Sequence, residues 1–180
     1  TDSNEHHLFR VKVDRTPGGA VASGSYGRWQ RKANDGTLDS CVVVGADTYF
    51  RNDSSGNRHI SCHGRGWTSR LPSVVFDDNG YNTDYIACEA DTPTTYGFRM
   101  RQFVWRIVGG YVFNGTLGSD NVVIGVHTDN SSPTASIVGL SVLGVAGRRI
   151  ARDYDGPPSN QYFTAVGITK QNVATVFIGK

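Results

Sequence analysis

Residues 96–127 read YGFRMRQFVWRIVGGYVFNGTLGSDNVVIGVH, the densest apolar run in the chain, and the fold class turns on its period. From Phe98 to Val108, the set Phe98, Met100 and Val104 opposes the set Phe103, Trp105 and Ile107, with Arg99, Arg101 and Arg106 interleaved. Large side chains on both faces describe a central strand, covered on one side and half-covered on the other. Gly109-Gly110 breaks the run, Tyr111 to Phe113 resumes it, and Asn114-Gly115 offers the positive φ angles of a tight hairpin turn. With Asn121 to His127 returning as a further strand, the segment predicts an antiparallel meander.

Outward from this segment the composition agrees. Glu stands only at positions 5 and 89, Lys only at 12, 32, 170 and 180, and Leu is scarce. Val, Thr, Tyr, Phe, Gly, Asn and Asp supply strands and tight turns instead. A length of 180 residues suits one β-domain over 1–180, with 1–7 as a polar, frayed tail. Strand-like runs occur at 8–13, 41–44, 73–76, 85–88, 135–143, 162–168 and 173–178, separated by turns such as Asp77-Asp78-Asn79-Gly80 and Asp155-Gly156-Pro157-Pro158. The last two runs read as a terminal hairpin. About a dozen short strands predict an antiparallel β-sandwich or jelly-roll-like barrel. No repeat of fixed period is visible, which weighs against a propeller or a β-solenoid.

A net charge of +2 is too small for a nucleic-acid footprint. The cations are mostly Arg, which grips carboxylates and phosphates in a bidentate way that Lys does not match; an acidic glycan suits such a surface. No apolar run approaches the length needed to span a bilayer and no basic-then-apolar leader is present, so a soluble chain without membrane insertion is expected. Cys41, Cys62 and Cys88 are odd in number and form no complete disulfide framework; three buried thiols, or one bridge and one thiol, both satisfy the count. Asn52, Asn114 and Asn130 match the glycosylation pattern, for which turn chemistry is the simpler reason.

Catalytic patterns are sparse. There is no nucleophile elbow and no local Ser/His/Asp grouping. Asp77, Asp78, Asp84, Glu89 and Asp91 cluster in sequence in the manner of glycosidase carboxylates, and Asp77, Asn79 and Asp84 in the manner of a loose calcium loop, but a hairpin turn is the favoured reading of the run. His59, Cys62 and His63 are zinc-type ligands; on a strand the histidines share a face that Cys62 does not, so no metal and no other cofactor is expected. The remaining constellation is one of binding: Tyr26, Arg28, Trp29 and Arg31 on one side, His63, Arg65, Trp67 and Arg70 on the other. Partly exposed rings stack on the apolar faces of sugars while Arg and Asp meet their hydroxyls, and Gly64 and Gly66 would let the loop around Arg65 approach a ligand.

Turn-rich β-sequence with few helix formers, and in particular GTLGSDNVVIGVHTDNSS (115–132) and ATVFIGK (174–180), resembles the receptor-binding tips of phage tail fibres and tailspikes. The resemblance implies a homotrimer on a virion or other extracellular surface that binds a cell-surface carbohydrate. The expected function is a non-enzymatic carbohydrate-recognition domain with Tyr26, Arg28, Trp29, His63, Arg65 and Trp67 at the ligand. The alternatives are a glycan hydrolase or lyase built on the carboxylate cluster, and a structural capsid or decoration domain. Self-association is expected also because few Lys or Pro residues protect sheet edges.

Overall fold

The structure, a computed structural model, describes residues 3–4, 6–14, 23–66, 71–101, 104–113, 122–126, 134–143, 149–153, 162–170 and 175–178. The described chain is all-β, as its composition requires, but every strand pair is parallel and the strands stack in coils around one axis. Three sheets of seven strands enclose the core. Sheet I stacks His7–Phe9, Thr37–Asp39, Arg58–Ile60, Thr83–Ile86, Trp105–Val108, Thr134–Val138 and Tyr162–Val166. Sheet II stacks Lys12–Asp14, Val42–Val44, His63–Gly64, Glu89–Asp91, Tyr111–Phe113, Ser141–Leu143 and Thr169–Lys170. Sheet III stacks Tyr26–Arg31, Thr48–Asp53, Val74–Asp78, Tyr96–Met100, Val122–Val126, Arg149–Asp153 and Thr175–Ile178. The chain visits I, II and III in turn seven times, which is a β-solenoid.

This overturns the antiparallel sandwich or jelly-roll barrel. Residues 96–126 do not double back as a meander. Tyr96–Met100 lies in sheet III, Trp105–Val108 in I, Tyr111–Phe113 in II and Val122–Val126 in III again, each bonded to the coil before and after. The single central strand from 98 to 108 is cut at a corner, where Val104 adopts φ 47°. The terminal hairpin is likewise replaced by a strand of sheet I and a strand of sheet III. Asn114-Gly115 lies outside the described residues.

The coil is set by one invariant corner. Between sheets I and II the chain always spends two residues, the first of them left-handed, before the next strand begins. Arg10, Ser40, Ser61, Ala87, Gly109, Gly139 and Gly167 occupy the first place, with φ between 49° and 67°. Val11, Cys41, Cys62, Cys88, Gly110, Leu140 and Ile168 occupy the second. The other two corners vary in length, so the aligned sheet I residues Leu8, Leu38, His59, Tyr85, Ile107, Ile137 and Ala165 follow one another at 30, 21, 26, 22, 30 and 28 residues. A repeat defined by register rather than by length shows no fixed period.

In-register stacking places like on like. Phe50, Phe76 and Phe98 stack face to face at 5.0 and 4.8 Å between ring centroids, nearly parallel. Tyr85 meets Phe76 and Phe98 edge-on and stacks on His59 at 4.8 Å. Such pairs add roughly 0.5–1.5 kcal/mol each beyond the area they bury. Cys41, Cys62 and Cys88 are buried free thiols, so the reading with one disulfide falls away.

Beneath the corner between sheets III and I runs a buried polar column. The Gln30 amide donates to Asn57 Oδ1 at 2.6 Å, Asn57 Nδ2 to Asn52 Oδ1 at 2.9 Å, and Asn52 Nδ2 to Asp78 Oδ1 at 2.8 Å. Backbone N–H groups of Gly36, Ser54 and Gly80 donate a second bond to the same three acceptor oxygens. Asn52 is fully buried, so Asn52-Asp-Ser is turn chemistry rather than a glycan acceptor.

Candidate ligand-binding face

Sheet III presents its outer face through residues that sequence places 22 to 26 apart and register places side by side: Trp29, Arg51, Asp77 and Arg99 form one column. Arg31, Asp53 and Arg101 extend the same face at the strand ends. Alternation forces this arrangement, because the flanking positions 28/50/76/98 and 30/52/78/100 supply the core.

Asp77 is the hub. Its carboxylate is fully buried under three guanidinium groups: Arg99 grips it with Nε at 2.8 Å and Nη2 at 2.6 Å, Arg101 Nε lies at 2.9 Å, and Arg51 pairs with it from the coil below. Burial alone would raise its pKa, but the Arg99 and Arg101 partners outweigh that and hold it at about 2. Arg51 also pairs with Asp53 at 2.6 Å, and Asp53 accepts a hydrogen bond from the Trp29 indole at 2.5 Å. Above Trp29 sits the Arg31 guanidinium, 5.2 Å from the ring, and Arg99 lies 5.8 Å from the Tyr96 ring. Tyr26 tilts against Trp29 at 5.2 Å. Four arginines (31, 51, 99, 101) face two aspartates (53, 77), a surplus of two positive charges.

Trp29 is 42% exposed, whereas Trp105 in the core is 1% exposed. The indole of Trp29 is held by its hydrogen bond rather than by burial, and a ring so oriented can stack on an apolar face while the guanidinium groups beside it meet anionic oxygens.

The six residues singled out from sequence separate. Tyr26 and Trp29 meet on the outer face of sheet III. Arg28 points the other way: it heads the column of Phe50, Phe76 and Phe98, and its Nη2 lies 3.5 Å from His6. His63 stands on the outer face of sheet II, 3.3 Å from Glu89 of the next coil, and Arg65 is exposed beyond it. Trp67 lies outside the described residues, as does Arg70. Gly64 gives its space to Val75 and Tyr49, whose side chains would lie 2.2 and 2.7 Å from an added Cβ, rather than to a ligand. Sequence reading missed Arg51, Asp53 and Asp77 as neighbours of Trp29; once the strands are aligned on the invariant corner, that column appears.

The acidic cluster also disperses. Asp77 faces out from sheet III, Asp78 is buried inside, and Asp84 gives both oxygens to Arg106 on sheet I at 2.6 and 2.7 Å. Glu89 and Asp91 belong to sheet II, so the five carboxylates share no cleft. Nor does a metal centre form: His59 is buried in sheet I while His63 faces out from sheet II, and among the described residues no group of three His, Cys, Asp or Glu side chains is placed to hold a metal ion. Compared with protein-family models, curated proteins and solved structures, the chain matches none.

Proposed function

We propose that the chain is a carbohydrate-recognition module that binds an acidic surface glycan along the outer face of sheet III. The observation that carries this reading is Trp29, an exposed indole fixed by Asp53 and bordered by Tyr26, Arg31 and the Arg51–Asp77–Arg99 ladder. Sugar rings stack on such an indole, and carboxylate or sulfate groups meet bidentate guanidinium groups. A stiff stack of parallel coils is compatible with a fibre-like protein of a particle or cell surface, and an elongated face suits a linear glycan.

Self-association belongs to the same reading. Val108, Val138 and Val166 stack in one outward column at the end of sheet I, with Phe9 in the same register on the first coil, and all four remain at least 41% exposed. An aliphatic ridge of this kind is where a second copy would dock; a monomeric mass by sedimentation at micromolar concentration would remove that part of the proposal.

A glycan array probed with the native protein, Trp29→Ala and Arg99→Ala decides the main point. Selective binding to acidic glycans that both substitutions weaken supports the proposal. Selective binding indifferent to both places the ligand elsewhere, and silence across the array favours a purely structural role.

A further inference from the structure

A second feature lies around the corner from the sheet III face. His7, Thr37 and Arg58 stack in register on three successive coils of sheet I, and with Asp35 and Gly56 of the adjoining turns they line an open, polar cleft of about 230 Å³. Its floor is fixed from below by the buried column, in which Asn57 Oδ1 accepts from Gly36 N at 2.9 Å and from Gln30. Its wall is fixed by backbone bonds, Asp35 N to Ser55 O at 3.0 Å and Arg58 N to Gly36 O at 2.9 Å.

Among the described residues, the Arg58 and Asp35 charges that line the cleft are unspent. Asp84, the acidic neighbour of Arg58 one coil above, gives both oxygens to Arg106. Among the described residues no anion pairs with Arg58 and no cation pairs with Asp35. The Asp35 carboxylate is seated against Gly56, where an added Cβ would come within 2.1 Å of Oδ1. A side chain at position 56 would displace that carboxylate.

We propose that this cleft binds a hexuronate, a sugar acid, with its carboxylate on Arg58 and its ring hydroxyls on Asp35 and Thr37. The guanidinium matches a carboxylate in a bidentate way. Asp35 selects against a bare anion, which has no hydroxyl to donate and would face like charge, while a neutral hexose leaves Arg58 unmatched. His7 lines the cleft beside Thr37. The inference rests on the carbohydrate reading and names the sugar class for a second, smaller site.

The test is titration of the full chain with galacturonate and glucuronate, followed through the histidine side-chain signals by NMR, with galactose, glucose and acetate as controls. At least one uronate should bind saturably in the millimolar range, and the controls at least about tenfold more weakly, the scale of one charge-assisted hydrogen bond. Arg58→Gln should weaken the uronate at least about tenfold, and Asp35→Asn should narrow its advantage over acetate. Both side chains are exposed, so a retained thermal midpoint establishes that the variants fold. Failure of both uronates to bind, or binding unchanged by Arg58→Gln, overturns the proposal. Trp29→Ala, run alongside, should leave uronate binding intact. Array binding lost in Trp29→Ala while the monosaccharides stay silent sinks this inference alone; Arg58-dependent uronate binding with a silent array keeps it and removes the sheet III reading.

Discussion

The Cys62 thiol donates to the Leu38 carbonyl one coil below, at 3.3 Å, and the Cys88 thiol does the same to the His59 carbonyl at 3.2 Å. Each cysteine thereby ties the inward corner of one coil to the strand of the previous one. Burial pushes the Cys88 thiol well above its ordinary pKa. Native protein should therefore react with a thiol-alkylating reagent far more slowly than denatured protein, with three groups released on unfolding; fast native alkylation of Cys88 would contradict the ladder. Cys62→Ala should cost about 1–2 kcal/mol in a denaturant titration.

Phe76 is sandwiched between Phe50 and Phe98 and is fully buried. Phe76→Ala should destabilise by about 3–5 kcal/mol. Val138→Ala, on the exposed ridge, should cost no more than about 0.5 kcal/mol when measured at a dilution that keeps the chain monomeric. Comparable losses at both positions would mean that the ridge is covered in solution.

Asp77 and Asp78 are sequence neighbours with opposite pH behaviour. Asp77, held at about 2 against an ordinary 3.8, contributes stability that is present above pH 3.8 and lost as pH falls toward 2. Asp78 is wholly buried, and that burial outweighs its bonds from Gly80, Asn52 and Thr83, raising it to about 6. Its favourable contribution is complete below pH 3.8 and disappears as pH rises through 6. Between those values the native chain should lose up to about 3 kcal/mol relative to Asp78→Asn. Unfolding midpoints measured every half unit of pH would reveal equal slopes if the assignment is wrong.

Gly109 and Gly110 look alike in sequence but differ in surroundings. A Cβ on Gly109 would meet nothing nearer than Ala87 Cα at 4.0 Å, and Ala87 itself holds φ 51° one coil below. Gly109→Ala should cost about 1 kcal/mol, the price of a left-handed alanine. On Gly110 the Cβ would lie 2.1 Å from the Cys88 carbonyl oxygen. Gly110→Ala should cost several times more, and equal midpoints for the two variants would argue against the corner geometry.

The all-β content was legible because composition reports strand propensity directly. Pairing direction was not. Residues 98–108 carry large side chains at adjacent positions, which fits one strand buried on both faces as well as two strands that meet at a corner. Asn79-Gly80 turns the chain from sheet III to sheet I as readily as it would close a hairpin. The usable clue was Asp-Ser-Cys at 39–41, Ile-Ser-Cys at 60–62, Ile-Ala-Cys at 86–88 and Val-Gly at 108, 138 and 166. The same corner is written there in different letters, at intervals stretched by the other turns. Within the candidate site, Trp29 and Tyr26 were legible as partly exposed aromatics. Arg28 was not separable from them, because its direction depends on the parity of a strand whose inward column is defined only by Phe50, Phe76 and Phe98 of later coils.

Because one corner alone keeps the coils in step, the other two are free to change length without disturbing the stack. Three residues join Val44 to Thr48, and nine join Gly64 to Val74, yet both coils lie flush on their neighbours. Sequence can therefore be inserted, shortened or exchanged at those bends while the scaffold keeps its pitch, so the chain can diversify what it displays along two edges while inheriting the third unchanged.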